Sequence, residues 1–452
     1  MASSKIMSSL VLLLITYAGL VNCESSLSPK FAPSSFPAPS WISLPPDSSH
    51  ISASPSQLPI PTGSSNWGSY PPTPSPGALS YAHFRAYSPS PLGGTVPRTQ
   101  VVRLSGIRGA YWPSYDFDEH EASSIVTSYF THIFYAFLTV EPSTFKLNVT
   151  ANDHQKMLNL VSSLRTRVPP VKILLSIGGA ASDSNIFSTM ASTTDTRLTF
   201  VDSTIEVARK YGFDGLDLDW EYPENDKDMV NYAILLKQWR RGLVHEAKAA
   251  GRPRLLLTSA VYYSPSFTVY GLPRSYPAYA VNRYLDFINV MSYDFHGSWE
   301  NCTGPNSVLY DPNSTLSASY GIGSWIDSGV SPKKIVVGLA AYGRSWKLQN
   351  PKVNGIGAPA VGVGPGDLGI LNYNEIVKFN TENEAVVNYV GELVTFYSYA
   401  GDIWIGYDDT LSTDLKVRFA RSMGLAGYFF WALGGDLNWA LSRQATLSWN
   451  GW

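Results

Sequence analysis

Eight short apolar runs, separated by longer stretches of helical character, constrain the fold of this chain more than any other feature. The intervening stretches carry apolar residues at three-to-four spacing, as in 199–211 and 228–250. Strands that alternate with helices predict a (β/α)8 barrel, and runs with few polar residues fit parallel strands buried on both faces. The predicted strands are 108–112, 131–138, 172–179, 214–221, 255–263, 287–294, 334–342 and 424–431.

The stretch between the seventh and eighth predicted strands is too long for one helix. Residues 345–407 contain a glycine-rich piece and then short alternating segments such as 385–390. We interpret this stretch as a small α+β subdomain inserted between strand 7 and helix 7. The predicted barrel, with its insertion, occupies residues 104–452.

The first hundred residues differ in composition from the rest. Residues 1–23 place Lys5 before a short apolar run, which predicts a secretory signal peptide, with a signal anchor as the alternative. Residues 24–103 are rich in Ser and Pro and almost uncharged, which predicts a disordered linker. No other stretch is long and apolar enough for a membrane span. Three glycosylation sequons fit a secreted chain, at Asn148, Asn301 and Asn313.

Composition limits the classes of partner. A net charge of −2 gives no reason to expect nucleic acid, whereas 13% aromatic residues suit a protein that stacks on sugars, although most will be core. Cysteine occurs only at Cys23 and Cys302, which excludes a disulfide framework or zinc knuckle; loss of Cys23 with a signal peptide would leave Cys302 a lone, inert thiol. No metal spacing or phosphate-binding loop is present, so no metal and no cofactor are expected.

The fourth predicted strand carries carboxylates at alternate positions. On a strand, Asp217, Asp219 and Glu221 share one face, roughly 6.6 Å apart, while the apolar residues between them share the other. Clustered carboxylates repel, so at least one should hold its proton near neutral pH. A protonated carboxylic acid at a cavity is what acid-catalysed glycoside cleavage requires. Asp214 has the opposite parity and is expected to make a structural hydrogen bond at the start of the strand.

Two other roles could explain the same carboxylates. Clustered Asp and Glu oxygens also bind Ca²⁺ or Mg²⁺, and a purely structural role is the third alternative. The strict alternation with apolar residues, and the flanking Gly-Phe and Tyr-Pro pairs, favour a buried strand over a metal-binding loop.

Polar and aromatic residues gather at the C-terminal ends of the predicted strands, where barrel enzymes have their active sites. Because these residues come from different strands, we expect them to converge on one cleft. For each aromatic side chain, ordinary core packing is the alternative. Besides the carboxylates, the set comprises Tyr111, Trp112, Gly178, Gly179, Met291, Tyr293, Asp294, Tyr342, Arg344 and Trp431.

The run 214–223, Asp-Gly-Leu-Asp-Leu-Asp-Trp-Glu-Tyr-Pro, resembles the signature of family 18 glycoside hydrolases, the DxxDxDxE chitinases. Neighbouring segments, including the Ser-Ile-Gly-Gly run at 176–179, resemble the plant class V branch from about Leu104 onward. The resemblance implies a retaining endo-hydrolase that cleaves chitin and chitooligosaccharides with help from the substrate's own acetamide. With the predicted signal peptide, we expect a secreted protein of the apoplast, with the vacuole as the alternative, and a monomer.

The resemblance implies roles for individual residues. Glu221 would be the general acid, Asp219 would hold the acetamide N–H, and Asp217 would share a proton or hydrogen bond with Asp219. Tyr293 would bind the acetamide oxygen, and Trp431 would form the floor beneath the sugar. Asp294 resembles the acid of the family's Tyr-Asp pair, which holds substrate hydroxyls. Position at the strand ends, rather than the resemblance, gives the other substrate-binding candidates: Met291, Tyr111, Tyr342 and Arg344.

The same motif leaves other functions open. A chitooligosaccharide-binding lectin on this scaffold is one, and a hydrolase of lipochitooligosaccharides or N-glycan cores is another. The sequence departs from the plant branch in lacking its extra cysteines, in the run around Trp431 and in its Ser/Pro-rich leader. These departures affect no predicted catalytic residue, but they leave the outer subsites unassigned.

Overall fold

A computed structural model of the chain describes residues 106–116, 121–269 and 272–451. The predicted signal peptide and linker lie outside the described residues. In chain order the strands are β1 (Ile107–Pro113), β2 (His132–Val140), β3 (Leu147–Asn148), β4 (Lys172–Gly178), β5 (Gly215–Asp219), β6 (Leu256–Tyr262), β7 (Ser266–Val269), β8 (Leu272–Ser275), β9 (Phe287–Met291), β10 (Ile335–Ala340), β11 (Tyr342–Leu348), β12 (Ala360–Val363), β13 (Ile370–Asn372), β14 (Val386–Val390), β15 (Thr395–Ala400), β16 (Ile403–Tyr407) and β17 (Gly427–Trp431).

The α-helices lie between the strands and begin and end at clear capping residues. For example, the Asn225 side chain accepts from the Asp228 N–H at the start of α4, and Gly251 with φ 60° ends it. The α-helices are α1 (Ala151–Arg165), α2 (Ser184–Ser192), α3 (Thr194–Tyr211), α4 (Asp226–Ala250), α5 (Ala278–Tyr284), α6 (Ala318–Asp327), α7 (Tyr373–Glu382), α8 (Thr410–Ser422) and α9 (Ala440–Asn450).

Eight of the described strands form a closed parallel barrel, as the sequence predicts. Strand β1 closes it by pairing on one side with β17 and on the other with β2, in the register Ile107–Gly427 and Gly109–His132. Five strands end earlier than predicted, at Gly178, Asp219, Tyr262, Met291 and Ala340. The barrel strands in spatial order are β1, β17, β10, β9, β6, β5, β4 and β2.

The barrel wall separates two apolar layers. Outward-facing Leu216, Leu218 and Trp220 belong to the main core beneath the helices, where the Trp220 ring stacks on Phe187 at 5.8 Å. The lower interior is filled by a separate cluster of buried side chains. Polar groups at the C-terminal ends of the barrel strands therefore lie above an apolar layer. The interior cluster consists of Tyr111, Phe134, Ala136, Leu174, Phe287, Val336 and Phe429.

Asp214 lies at the opposite end of β5 from the predicted site. Its carboxylate accepts from the backbone N–H of Ile173 at 2.9 Å and pairs with Arg165 at 3.0 Å. These contacts fix the start of β5 against β4, which is the structural hydrogen bond that the parity argument predicts.

The insertion forms an antiparallel sheet with its own small core. Strand β11 pairs with β12, β13 and β16, and helix α7 packs beside it. Trp346, Leu348, Ala358 and Trp404 form the core of this sheet. The insertion begins at Tyr342 rather than at 345, and helix α8 follows it and leads back to β17.

No helix among the described residues is long and apolar enough to cross a membrane.

Candidate active site

Asp217 is held by hydroxyl groups from three other strands of the barrel, β1, β4 and β6. Its Oδ2 accepts from Tyr111 Oη at 2.9 Å and Ser176 Oγ at 2.7 Å, and its Oδ1 accepts from Thr258 Oγ1 at 2.6 Å. Burial raises the pKa of Asp217, and these three donors oppose the rise. Because donors occupy both oxygens of this buried carboxylate, Asp217 is poorly suited to bind a metal ion. Across the described residues, no group of three or more His, Cys, Asp or Glu side chains is arranged to hold one.

Asp219, two residues along the same strand, has a different environment. Its side chain is 4% exposed, and its Oδ1 has no hydrogen-bond partner among the described residues. Burial raises the pKa of Asp219 well above the usual range, and the charges of Glu221 and Asp217 add to the effect. A buried acceptor oxygen without a donor is unfavourable, so Asp219 is prepared to receive an N–H or a proton from a bound molecule.

The two glycines predicted at the end of β4 permit a close approach to Asp219. Gly178 has φ 117°, and a Cβ on it would lie 2.0 Å from the Asp219 carbonyl oxygen. The Gly179 N–H donates to that same carbonyl oxygen at 2.9 Å. The Ser-Ile-Gly-Gly run thus allows β5 to lie close to β4, because a side chain at position 178 would force the two strands apart.

Glu221 lies just beyond the end of β5 and is half-buried. Burial raises its pKa to about 7; the charge of Asp294 contributes to the rise, and a hydrogen bond from Tyr222 opposes it. A carboxyl group with this pKa still carries its proton in much of the population at neutral pH. It can therefore donate a proton and later take one back.

The Tyr293 hydroxyl faces the same carboxylates. Burial raises its pKa well above the usual value, and the charges of Asp219, Glu221 and Asp294 raise it further. The phenol therefore stays protonated and can donate a hydrogen bond. Its ring packs edge-on against Tyr342 at 6.0 Å.

Asp294, Tyr342 and Arg344 form one hydrogen-bonded group at the side of the site. Asp294 Oδ1 accepts from Tyr342 Oη at 2.7 Å, from Arg344 Nε at 2.9 Å and from Arg344 Nη2 at 2.6 Å. The Arg344 guanidinium also lies 5.3 Å from the Trp299 ring centroid. Tyr342 and Arg344 belong to the first strand of the insertion, not to the end of a barrel strand as predicted.

Trp431 has its ring at the upper end of the barrel interior. The half-buried ring stacks on Phe137, with centroids 5.6 Å apart and planes at 23°. Both Trp431 and the partly buried Met291 pack on the interior cluster beneath the site. A ring supported in this way offers a flat apolar surface for a sugar.

Two residues of the predicted cleft set are buried. Tyr111 is 1% exposed, and its hydroxyl donates to Asp217 and accepts from Asn289 Nδ2 at 2.9 Å. Tyr111 therefore supports Asp217, and its predicted role in substrate binding stays a prediction. Trp112 is also buried, but it faces outward into the main core because its parity is opposite to that of Tyr111.

Sequence reasoning missed three residues at the site: Phe137, Thr258 and Asn289. Thr258 stands directly beside Asp217 in the register between β5 and β6. Asn289 reaches Tyr111 across the barrel interior. Only Phe137 could have been predicted from the sequence, since it lies near the end of a predicted strand. The positions of Thr258 and Asn289 depend on strand register and on the closure of the barrel.

A closed (β/α)8 barrel is an architecture that glycoside hydrolases use, and this one carries at its strand ends a carboxyl group with a pKa raised to about 7, a buried carboxylate oxygen without a hydrogen-bond partner among the described residues, and the Trp431 ring. The sequence profile described as Glycosyl hydrolases family 18 matches residues 108–436. The chain belongs to this family, which confirms the resemblance drawn from the 214–223 run.

Named relatives and solved structures place the chain near plant enzymes. It is 53% identical over 346 residues to Class V chitinase CHIT5a of Medicago truncatula, covering 76% of this chain and 90% of the relative. It is 46% identical to Nod factor hydrolase protein 1 of the same plant, over 75% of this chain and 89% of the relative.

The solved structures include both an enzyme and an agglutinin. A class V chitinase from Nicotiana tobaccum, in complex with NAG4, is 40% identical, with a TM-score of 0.73 over 76% of this chain and 99% of its own. A chitinase-like agglutinin from Robinia pseudoacacia is 39% identical, with a TM-score of 0.70 and the same coverage. Similarity of sequence and fold thus extends both to a protein named as a chitinase and to one named as an agglutinin.

Proposed function

We propose that this protein is a secreted, retaining endo-hydrolase of β-1,4-linked N-acetylglucosamine polymers, acting by substrate-assisted catalysis. The observation that carries the proposal is the pair formed by Glu221 and Asp219. Glu221 has a pKa of about 7, and Asp219 presents a buried oxygen without a hydrogen-bond partner among the described residues. One group can give a proton, and the other can receive an N–H.

In the first step, a sugar rests on Trp431 with its 2-acetamido group directed toward Asp219. Asp219 accepts the acetamide N–H, and Tyr293 donates to the acetamide oxygen and turns it toward C1. The acetamide oxygen forms a bond to C1 while the bond from C1 to the glycosidic oxygen breaks. Glu221 transfers its proton to that departing oxygen, which leaves as a hydroxyl group.

In the second step, Glu221 is a carboxylate and acts as the base. It takes a proton from a water molecule as the water oxygen attacks C1 and opens the oxazolinium ring. Two inversions at C1 give net retention. The negative charge of Asp219 stabilises the cationic intermediate. Asp217, whose position is fixed by its three hydrogen-bond donors, maintains the electrostatic field around that intermediate.

Two alternatives have specific support. The agglutinin relative supports a lectin on this scaffold, although Asp217, Asp219 and Glu221 are all present here. The Nod factor hydrolase relative supports a lipochitooligosaccharide as substrate. Both ligands carry the N-acetyl group that Asp219 and Tyr293 would hold.

The deciding experiment incubates the full chain with a chitin hexamer and follows the products by NMR. We expect internal cleavage with the β-anomer formed first, because a doubly displaced C1 retains its configuration. A hexamer of de-N-acetylated glucosamine is the matched control and should resist cleavage, since it lacks the attacking acetamide. Binding of the chitin hexamer without cleavage would favour the lectin, and cleavage of lipochitooligosaccharides alone would identify the other substrate.

The pH profile should report Glu221. The acid must be protonated to act, so kcat/KM is expected to fall above about pH 7, where the group loses its proton. The Asp294 charge helps to hold this proton, so Asp294→Asn should lower the pKa of Glu221 and move the alkaline limb to lower pH. Asp202→Asn, an exposed change on α3, is the control and should leave the limb in place. A limb that stayed fixed in Asp294→Asn would contradict the assignment.

A further inference from the structure

Two buried residues in the loop after β9, Asn306 and Ser307, connect parts of the protein that are distant in sequence. They are 0% and 1% exposed. Their side chains contact the chain on both sides of Tyr293, the first strand of the insertion and helix α8. Buried polar side chains with several partners fix the relative positions of the segments that they join.

Asn306 contacts the residue after Tyr293 and the insertion strand. Its Oδ1 accepts from the Asp294 N–H at 3.2 Å, and its Nδ2 donates to the Tyr342 carbonyl oxygen at 3.2 Å. Asp294 has φ 57°, a left-handed conformation that is uncommon for a residue with a side chain. The hydrogen bond from its N–H to Asn306 holds the backbone in this conformation.

Ser307 contacts the residue before Tyr293. Its Oγ donates to the Ser292 carbonyl oxygen at 3.0 Å and accepts from Lys416 Nζ at 2.8 Å. Lys416 also donates to the Ser307 carbonyl oxygen at 2.9 Å and is paired with Asp408, with Nζ 2.6 Å from each carboxylate oxygen. Lys416 and Asp408 are 2% and 3% exposed, so this ion pair is a fixed internal support.

We propose that Asn306 and Ser307 are positioning residues for Tyr293 and Asp294, and that the Lys416–Asp408 pair anchors them to the end of the insertion. Tyr293 is flanked by Ser292 and Asp294, and each of these is hydrogen-bonded to one member of the Asn306–Ser307 pair. The position of the Tyr293 hydroxyl over the acetamide is thereby set by residues that do not touch substrate. The proposal rests on the proposed function, since it assigns a means of placing the group that orients the acetamide.

The test compares Asn306→Ala with Asn282→Ala in the full chain acting on the chitin hexamer. Asn282 is a matched control, because its Oδ1 accepts from a backbone N–H, that of Ser331, at 3.1 Å and lies near the N-terminal end of β10, away from the site. We expect Asn306→Ala to lower kcat by about 10- to 100-fold with KM changed less than about threefold, since small misplacements cost catalysis steeply. Asn282→Ala should also lower the melting temperature, by less because Asn282 is only half-buried, and should leave kcat near that of the wild type.

A merely structural role would lower the melting temperature of both variants and leave kcat of both unchanged, and that result would overturn the proposal. If Asn306→Ala does not fold, Ser307→Ala replaces it, because Lys416 keeps Asp408 and the Ser307 carbonyl oxygen as partners; a loss of about 3- to 10-fold in kcat is then expected. If the wild type binds the hexamer without cleaving it, the proposed function fails separately. Asn306→Ala must then weaken hexamer binding more than Asn282→Ala does, and equal affinities would overturn the positioning role.

Discussion

Glu221→Gln is expected to lower kcat for the chitin hexamer by about 10²–10⁴-fold while the hexamer still binds. Glutamine keeps the size and polarity of the side chain, but it has no acidic proton to give to the departing glycosidic oxygen. Glu221 is the carboxyl group whose pKa is raised to about 7, so it is suited to the acid and base steps in turn. Steady-state kinetics give the rate, and calorimetric titration of the variant gives the affinity.

Glu206→Gln is the matched control for this change. Glu206 is an exposed residue of α3, outside the barrel, so the same chemical substitution there should leave kcat unchanged. A Glu221→Gln enzyme that kept kcat within about threefold of the wild type would remove Glu221 from the role of general acid, since acid catalysis contributes far more than that.

Asp219→Asn is expected to give two opposite effects: a loss of about 10²–10³-fold in kcat and a higher melting temperature at pH 8. The rate falls because the neutral amide cannot stabilise the oxazolinium cation as a carboxylate does. The stability rises because the wild-type carboxylate is buried beside Glu221 and Asp217, with one oxygen lacking a hydrogen-bond partner among the described residues. Replacing the charged carboxylate with a neutral amide removes an unfavourable electrostatic energy that the native site retains for catalysis.

The raised pKa of Asp219 determines how the stability difference between the wild type and Asp219→Asn changes with pH. The folded-state pKa of Asp219 is raised, so the folded protein binds this proton more tightly than the unfolded chain, whose aspartate has a pKa of about 4. The associated stabilisation is complete below about pH 4 and is lost as the pH rises through the raised pKa. Asp219→Asn avoids that loss, so its advantage in melting temperature should grow from pH 4 to pH 8.

Thermal unfolding followed by circular dichroism at several pH values measures this difference. Asp202→Asn, at an exposed position on α3, should show neither the rate loss nor the pH-dependent gain. A variant that melted below the wild type at pH 8 would show that the buried Asp219 charge is stabilising, contrary to the argument from its environment.

Local sequence pattern was sufficient for the barrel and for the row of carboxylates. The period of a strand is two residues, so alternation alone separates Asp217 and Asp219 from Leu216 and Leu218. Asp214 was likewise placed outside the row by its parity. The family signature in the 214–223 run then identified the kind of chemistry, because these residues lie together in one stretch of chain.

Depth within the barrel could not be read from that pattern. Tyr111 has the parity of an inward-facing residue, yet it lies beneath the site as a donor to Asp217, because the relative heights of strands depend on their stagger. Thr258 reaches Asp217 only through the register of β5 with β6. Arg344 meets Asp294 only because the insertion folds back beside the barrel.

The sequence by itself determined the presence of eight strands, the shared face of Asp217 and Asp219 and the family, since these depend on short-range periodicity and on one contiguous motif. Tertiary structure decided which carboxylate has hydrogen-bond donors on both oxygens and which has an oxygen without a partner in the described part of the chain. It also decided that burial raises the pKa of Glu221 to about 7 and that Asn306 and Ser307 are hydrogen-bonded to the residues on either side of Tyr293. The physical reason is that burial and electrostatic coupling depend on neighbours from distant parts of the chain, and these neighbours are set by barrel closure and strand register.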